Sequence, residues 1–271
     1  MKLWFDEFWS HFNKHDNFFT WVLRKYGNTH VEVTSDNPDV IIVGNSYRYF
    51  DPLGPRRIVC FVGENNIPVP TAQANLTPRT TTEDNNLRLP LWYLYVDWED
   101  PLYFTRFANS PKLHFCNFIH AHTGYPRQTF IDRVNQYKRV DCHGRAMNNM
   151  GAGIWDNSIN GKLNVQKHYL FSMCLENALG NGYVTEKLLH GMVARTIPIY
   201  WGDKTAFEDF NPEYPILQLK DDISNLEQIV AQMIEIDQNE TIKKDYLERC
   251  SNTPILTKMP DFEKLAKHII G

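Results

Sequence analysis

The stretch HYLFSMCLENALGNGYVTEKLLHGMVARTIPIYWG, residues 168–202, contains the pattern that decides the fold. Its apolar run up to Leu175 predicts a strand, YVTEKLLHGMVA predicts a helix, and TIPIYWG predicts a second strand. A strand, a helix and a strand in this order are typical of a parallel β-α-β unit. The stretch therefore predicts an α/β fold built on a parallel sheet.

The same alternation extends outward from this stretch. LHFCNFIHA, PRQTFIDRVNQY and KRVDCHG predict a strand, a helix that has Pro126 in its first turn, and another strand. Three short runs, HVEVT, DVIIVG and RRIVCFVGEN, predict strands of one sheet nearer the N-terminus, and three helices are predicted after residue 222. A polar segment with two prolines at 98–111 predicts a domain boundary, which we place between residues 108 and 109.

Two regions are less regular. The N-terminal aromatic residues recur at spacings of three and four, which predicts one apolar face of a helix; they are Trp4, Phe5, Phe8, Trp9 and Phe12. We interpret this face as core packing, and a helix that binds a membrane surface or a partner is the alternative. TAQANLTPRTTTEDNN, residues 71–86, has almost no periodicity and predicts a long loop.

Composition limits the classes of protein that fit. The 271 residues are 42% hydrophobic, which suffices for one large domain or two ordinary ones, and 28 Lys and Arg balance 32 Asp and Glu, which argues against a nucleic-acid partner. Five widely spaced cysteines in mostly apolar runs indicate reduced core thiols. The N-terminus lacks the apolar region of a signal peptide or a membrane span. We therefore expect a cytoplasmic protein without a transmembrane segment, and peripheral attachment to the inner membrane is the alternative.

The segment Gly180–Lys187 has the features of an anion site. In an open parallel sheet, ligands bind beyond the carboxyl ends of the strands, where helix N-termini present free N–H groups. Two glycines allow the backbone to approach a ligand, and Lys187 adds a positive charge where the helix dipole is already positive. The alternative is an ordinary solvated helix start in which Tyr183 serves packing.

The segment Tyr169–Asp203 resembles the signature of the α1,3/4-fucosyltransferases, in which Phe-Glu-Asn at a strand end precedes Tyr-Val-Thr-Glu-Lys. Leu175 stands at the Phe position here. FVGEN, LRLPLW, FCNFIHAHTGYPRQTF and VDCHGRAMNNMG agree more weakly with the bacterial members of the family. The resemblance implies an α/β fold of the GT-B type, with two Rossmann-like domains facing a cleft. Residues 1–108 are then expected to bind the acceptor and to contain the catalytic base, and residues 109–271 to bind GDP-fucose.

The resemblance also implies a reaction. It is the transfer of L-fucose from GDP-β-L-fucose, with inversion, to O3 or O4 of N-acetylglucosamine or glucose in a β-galactoside disaccharide, which gives a Lewis-type product. N-acetyllactosamine, lacto-N-biose and lactose are the expected acceptors. GDP-fucose is the donor substrate, and neither a cofactor nor an obligatory metal is expected.

Residue roles follow from the same resemblance. Glu64 matches the catalytic glutamate, and a carboxylate there accepts the proton of the acceptor hydroxyl. Lys187 and Arg145 are expected to bind the diphosphate, although some members place this arginine where the chain has Met147. The positions that match contacts to the nucleotide or its sugar are Asn177, Tyr183 and Glu186.

Other interpretations follow from different residues. Asp97-Trp98-Glu99-Asp100 is the nearest approach to a metal-binding acidic motif, and a polar turn explains it. Four alternating residues of one strand extend too far to converge on one zinc ion; they are His114, Cys116, His120 and His122. No metal site is predicted. A GT-B transferase that uses another sugar nucleotide, or a non-catalytic carbohydrate-binding protein, remains an alternative function.

Overall fold

The structure is a computed structural model that describes residues 1–44, 56–70, 72–82, 84–151 and 159–271, and eleven strands lie within them. In chain order they are β1 (Lys2–Asp6), β2 (Glu32–Val33), β3 (Val40–Gly44), β4 (Arg57–Phe61), β5 (Ala74–Thr77), β6 (Asn86–Arg88), β7 (His114–Phe118), β8 (Val140–Cys142), β9 (Tyr169–Leu175), β10 (Ile197–Trp201) and β11 (Leu217–Gln218).

Eight α-helices and a short 3-10 helix lie within the described residues, and three of the α-helices follow the last strand. They are α1 (Phe18–Tyr26), α2 (Arg127–Asn135), α3 (Ile159–Gln166), α4 (Glu186–Val193), α5 (Ala206–Asp209), α6 (Leu226–Gln238), α7 (Glu240–Asn252), α8 (Phe262–Ile270) and a short 3-10 helix, Leu91–Tyr95. The helices predicted around Pro126, after Tyr183 and in the C-terminal region are confirmed.

The chain folds as two compact units. Unit 1 comprises Met1–Leu94, Gly180–Tyr183 and Lys258–Gly271, and unit 2 comprises Tyr95–Leu179 and Val184–Thr257. Residues 95–108 belong to unit 2 because the Arg195 guanidinium donates to the Phe104 carbonyl and the Ser251 hydroxyl donates to the Ala108 carbonyl. The predicted boundary between residues 108 and 109 therefore falls inside unit 2, and the separate roles of the two domains stay a prediction.

Unit 1 is built on a parallel sheet in the order β2-β1-β3-β4-β5-β6. The helix predicted for the N-terminal aromatic residues is wrong, because Lys2–Asp6 is strand β1 and the first helix begins at Phe18. Their core packing is confirmed for Phe5 and Phe8: Phe5 is fully buried, and the rings of Phe8 and Phe61 stack with centroids 5.8 Å apart. The spacing of three and four thus indicated which aromatic rings pack in the core, but it did not indicate the backbone conformation.

The long loop predicted for residues 71–86 is also wrong in part. β5 pairs with β4 and β6, and all four of its residues are buried. The polar side chain of Asn75 is accommodated there because its amide donates to the Val69 carbonyl and accepts from the Val69 N–H. Local hydrogen bonding of this kind allows a polar sequence to form an interior strand.

Unit 2 is built on a parallel sheet in the order β11-β10-β9-β7-β8. All seven residues of β9 are buried, as expected for a strand covered on both faces. The chain proceeds from β7 to β8 on one side and returns to β9 on the other, so the strand order reverses between β7 and β9. Such a switch point is where open α/β sheets bind ligands.

The five cysteines are free and buried, which confirms their interpretation as core thiols. Burial raises the pKa of Cys60 and of Cys142 to about 11, so these thiols stay protonated at neutral pH. No helix in the part of the chain that the structure describes could serve as a membrane span.

Candidate active site

The carboxyl edge of the unit 2 sheet gathers most of the predicted site residues. Glu176 and Asn177 directly follow β9, beside the switch point. Gly144 follows β8, and a Cβ added to it would lie 2.0 Å from the carbonyl oxygen of His120. The backbone segments that leave β7 and β8 therefore approach each other so closely that only glycine fits.

A buried carboxylate organises this edge. Glu176 is 1% exposed, and its Oε1 accepts from the Thr185 backbone N–H at 2.8 Å. Its Oε2 accepts from the Thr185 hydroxyl at 2.6 Å and from Lys187 Nζ at 3.2 Å. The carboxylate thus connects the end of β9 to the start of α4 and fixes the position of the lysine ammonium.

Charges in this cluster are mutually compensated. Burial opposes protonation of Lys187, but the carboxylates of Glu176 and Glu186 outweigh it and raise its pKa above the ordinary value. Burial likewise opposes ionisation of Glu186, but Lys187 and Lys162 hold its pKa far below the usual range. The sequence analysis expected an anionic ligand to compensate a lysine in the first helical turn, whereas Glu176 already provides a negative partner within the protein.

Two buried histidines near the cluster are neutral. Burial holds the pKa of His120 and of His190 well below its ordinary value, and the neighbouring lysines act in the same direction. His120 Nε2 lies 3.0 Å from the Met173 carbonyl oxygen, so it donates there. These rings therefore add no positive charge at neutral pH.

Arg127, near the start of α2, is a site residue that the sequence analysis missed. It is 4% exposed, and its Nη2 donates to Asn177 Oδ1 at 2.6 Å and to the Leu175 carbonyl at 3.0 Å. Its Nη1 donates to the His122 carbonyl at 3.1 Å. The available signal was a charged residue directly after Pro126, at the start of the first predicted helix of this domain.

Arg145 lies at the same edge as the cluster. It follows Gly144 on the loop after β8 and is exposed to solvent. Met147, the other position at which the diphosphate arginine aligns, has a positive φ of 55°. The structure thus places Arg145, Asn177, Glu186 and Lys187 within unit 2, at one edge of its sheet.

Glu64 and Tyr183 form a separate pair in unit 1. Glu64 lies beyond the carboxyl end of β4 and is exposed, and its Oε2 accepts from the hydroxyl of the buried Tyr183 at 3.2 Å. The loop that contains Tyr183 is fixed to unit 1: Asn181 Nδ2 donates to the Thr80 carbonyl, and Arg88 donates to the Gly182 carbonyl. Tyr183, predicted to contact the nucleotide or its sugar, thus lies against the predicted base.

Among the described residues, no three His, Cys, Asp or Glu side chains are grouped so that they could hold a metal ion. The expectation of a metal-independent reaction stays a prediction.

The chain is similar in sequence to known proteins. Residues 109–264 match the model of the C-terminal part of glycosyltransferase family 10 (fucosyltransferase). A putative fucosyltransferase of Acanthamoeba polyphaga mimivirus is 31% identical over 170 residues, which are 59% of this chain and 27% of that protein. The α-(1,3)-fucosyltransferase of Helicobacter pylori is 35% identical over 103 residues, which are 38% of this chain and 20% of that protein. The chain thus spans only 27% and 20% of the lengths of these relatives.

Solved structures extend the similarity to the fold. A crystal structure of α1,3-fucosyltransferase with GDP-fucose has a TM-score of 0.75 at 19% identity and covers 98% of this chain and 88% of its own. An α-glucosyltransferase in complex with UDP and DNA has a TM-score of 0.54 at 11% identity and covers 92% of this chain and 93% of its own. These similarities confirm the predicted α/β fold of the GT-B type with two parallel sheets.

Proposed function

Because this chain belongs to glycosyltransferase family 10, the fucosyltransferase family, we propose that it transfers L-fucose from GDP-β-L-fucose to a sugar hydroxyl. The observation that carries the proposal is the ion pair of Glu176 and Lys187 at the carboxyl edge of the unit 2 sheet, in which the buried carboxylate fixes the position of the lysine ammonium. The solved α1,3-fucosyltransferase of similar fold binds GDP-fucose, which supports this choice of donor.

The donor half of the reaction requires stabilisation of the departing diphosphate. Lys187 and Arg145 are the cations that we assign to it, and Lys187 is already oriented by Glu176 and by the Thr185 hydroxyl. A preorganised charge stabilises a developing negative charge without reorganisation during the reaction. We propose that these cations replace a metal ion, so that neither a metal nor another cofactor is required.

The nucleotide and its sugar require further contacts. We assign these to Asn177, whose exposed carboxamide lies beside the switch point, and to Glu186, whose carboxylate accepts hydrogen bonds from ribose or fucose hydroxyls. Glu186 is suited to this role because Lys187 and Lys162 keep it ionised. Tyr183 is assigned to the base rather than to the nucleotide alone, since its hydroxyl donates to Glu64.

The acceptor half requires a base. We assign it to Glu64, an exposed carboxylate that accepts a hydrogen bond from the Tyr183 hydroxyl. The acceptor oxygen attacks the anomeric carbon from the face opposite the diphosphate and forms the new C–O bond. The bond between carbon and phosphate oxygen breaks, GDP leaves with its electron pair, and the acceptor proton passes to Glu64. Because one displacement occurs, the configuration inverts.

We propose O3 of N-acetylglucosamine or glucose as the acceptor atom, with O4 as the alternative, in disaccharides such as N-acetyllactosamine, lacto-N-biose or lactose. The α1,3-linkage named for the Helicobacter pylori relative supports O3. We also propose a reducing compartment such as the cytoplasm, which the five free buried thiols support.

The test follows GDP release from GDP-fucose and N-acetyllactosamine in the presence of EDTA. The wild type should release GDP only with acceptor, and Glu64→Gln should lower the rate by at least about 100-fold, the range expected for loss of a general base. The matched control is Glu32→Gln, an exposed glutamate on β2 of the same unit, which should keep the wild-type rate. NMR of the product then gives the linkage and the anomeric configuration.

Each other outcome contradicts a defined part of the proposal. An unchanged rate in Glu64→Gln would remove this residue as the base. Release of UDP or CMP from the corresponding nucleotide sugar, without GDP release from GDP-fucose, would indicate a different donor. Binding of the acceptor without turnover of any donor would indicate a carbohydrate-binding protein, and loss of release on adding EDTA would indicate a metal requirement.

A further inference from the structure

A cavity of about 430 Å³ lies at the amino edge of the unit 2 sheet, opposite the edge that carries the candidate active site. Its walls come from the segments that lead into β7, β8 and β9 and from the junction of α6 and α7. We call it the amino-edge cavity, and the reaction proposed above assigns it no role. Its lining includes four cations and two carboxylates, Lys112, Lys138, Arg139, Lys243, Asp141 and Asp237.

Three of the four cations are paired with carboxylates. In each pair a nitrogen and an oxygen atom lie within 3.3 Å of each other; the pairs are Lys138–Asp237, Arg139–Asp141 and Lys243–Glu240. Each pair is neutral as a whole. The positive charge that remains in the amino-edge cavity therefore belongs to Lys112.

The ammonium of Lys112 is largely buried and has no carboxylate partner among the described residues. It donates to the Lys167 carbonyl at 2.7 Å and to the Ala194 carbonyl at 2.9 Å. An ammonium has three N–H donors, so one donor is left for a further acceptor. Because Lys112 lines the cavity, a ligand in the cavity is in a position to provide that acceptor.

A second buried cation, Arg195, lies close to Lys112. It directly follows Ala194, it is 3% exposed, and within the described part of the chain its guanidinium donates to backbone carbonyls alone. Burial lowers the pKa of Lys112 to about 7, and the charge of Arg195 acts in the same direction. Since burying a charge without a counter-charge is unfavourable, an anion beside Lys112 would stabilise this region.

The amino-edge cavity also has apolar walls. Phe115 and Leu170 are buried there, and the third apolar residue, Leu113, is 67% exposed. The cavity volume lies in the range of sites that hold small organic molecules. The lining therefore suits a ligand that combines an anionic group with an apolar part.

We propose that the amino-edge cavity binds an organic phosphate, whose phosphate oxygen accepts from the Lys112 ammonium and whose apolar part contacts Phe115 and Leu113. Lysine binds phosphate as a point charge. A phosphate dianion matches the two buried charges of Lys112 and Arg195, whereas a carboxylate would match one. The phosphate can belong to a small soluble molecule or to a lipid headgroup, which share this chemistry. The inference does not rest on the proposed function, because the donor is assigned to the opposite edge of the sheet.

The test measures the dissociation constant of phenyl phosphate by titration calorimetry at pH 8, where this probe is a dianion. The wild type should bind it more tightly than inorganic phosphate, because the ring contacts the apolar walls. Lys112→Met keeps much of the side-chain length without the charge and should weaken binding at least about tenfold, as for loss of one hydrogen bond between charged groups. Lys244→Met is the matched control, an exposed lysine of α7 outside this cavity, and should bind like the wild type.

Proton uptake provides a readout that is specific to Lys112. Its amine is mostly neutral at pH 8, because its pKa is about 7, and a bound anion favours the charged form. The wild type should take up close to one proton per phenyl phosphate, measured from the dependence of the binding enthalpy on the ionisation enthalpy of the buffer. Besides the charged residues named above, His114 and Cys250 are ionisable neighbours, and Lys112→Met, which should lose the uptake, separates their contribution.

A further variant tests the location of the probe. Arg145→Gln changes the opposite edge of the sheet and should leave the dissociation constant of phenyl phosphate at its wild-type value. Weakening as large as that in Lys112→Met would place the probe at the carboxyl edge and overturn the inference. Wild-type affinity in Lys112→Met would also overturn it. If Lys112→Met does not fold, the wild-type uptake decides, and an uptake near zero would overturn the inference.

Vesicle sedimentation distinguishes the two sources of the phosphate. Wild-type binding to phosphatidylglycerol vesicles that is lost in Lys112→Met, with phosphatidylcholine vesicles as the blank, would assign the amino-edge cavity to a lipid headgroup. Binding of phenyl phosphate without binding to these vesicles would assign it to a soluble organic phosphate. A wild type that binds neither phenyl phosphate nor the vesicles would overturn the inference.

Discussion

Charged side chains are held in opposite ways in two regions of the molecule, the Glu176–Lys187 pair of unit 2 and the Glu64–Tyr183 pair of unit 1. In unit 2, Glu176 is buried and Lys187 largely so, and the two are paired and bonded to Thr185, so each side chain is held in one position. In unit 1, Glu64 is exposed and accepts a hydrogen bond from Tyr183. A group that must bind a constant charge gains from a rigid environment, whereas a group that must take up a proton has to remain accessible. The difference therefore matches the roles proposed for the two parts.

Removing the buried carboxylate should have the largest effect. We expect Glu176→Gln to lower the free energy of unfolding by about 3–5 kcal/mol, because it leaves the buried ammonium of Lys187 without its partner and brings an amide N–H against other donors. Urea denaturation followed by tryptophan fluorescence measures this loss. Glu227→Gln is the matched control, since it removes the exposed partner of Arg133 and should change stability little. An equal loss of unfolding free energy in the two variants would contradict the prediction, because it would show that the buried ion pair stabilises the fold no more than the exposed one.

Lys112 offers a third case, a largely buried cation whose ammonium donates to the carbonyls of Lys167 and Ala194. Burial lowers its pKa from 10.5 to about 7. Between these values the unfolded chain binds a proton that the folded protein does not, so stability should rise with pH in this window. From pH 7 to 9 the wild type should gain roughly 2 kcal/mol relative to Lys112→Met.

The measurement for Lys112 is urea denaturation at pH 7, 8 and 9. Lys244→Met, at a side chain that is 78% exposed, should follow the wild-type pH dependence. Parallel curves for the wild type and Lys112→Met would contradict the prediction, and would mean that burial without a carboxylate does not alter the protonation of this lysine.

The smallest effect should come from the hydroxyl that orients Glu64. Tyr183→Phe removes one hydrogen bond and keeps the buried ring, so kcat should fall about tenfold, less than for Glu64→Gln. Tyr137→Phe is the matched control, because that hydroxyl also donates to a carboxylate, Asp237 Oδ2 at 2.8 Å, but in unit 2. It should leave kcat unchanged. A similar loss in both variants would indicate a general effect of removing tyrosine hydroxyls rather than a specific orientation of Glu64.

Much of the fold followed from the sequence because parallel strands are continuous apolar runs. β3, β4, β7, β9 and β10 lie where β-branched and aromatic residues predicted them. The errors arose where tertiary contacts override local pattern. Lys2–Asp6 is a strand despite aromatic spacing typical of a helix, and Ala74–Thr77 is a strand despite the polar Asn75, whose amide is satisfied by a neighbouring loop. The strands and the loop that stabilise these two segments are distant in sequence or carry no local signal, so a single sequence does not show these contacts.

The internal contacts of the candidate site were not predictable from the sequence. Family resemblance pointed to Lys187 and Asn177, whose roles stay a prediction, yet the sequence could not show that Glu176 pairs with Lys187 and that Arg127 donates to Asn177. Both missed residues are separated from their partners along the chain and meet them only when β9 lies beside β7 and α4 packs against β9. A charged residue at the end of an apolar run, such as Glu176, is the nearest signal that the sequence offers.

The discontinuity of unit 1 has a consequence for building chimeras. Its chain is interrupted twice by unit 2, and its last helix, α8, packs against α1 through Phe262, whose ring lies 6.2 Å from that of Phe18. A gene cut once near residue 95 would separate α8 from the rest of its own unit. Because we assign the donor to unit 2, a chimera designed to exchange donor specificity needs two grafted segments, 95–179 and 184–257, with Gly180–Tyr183 and the C-terminal helix retained from the recipient.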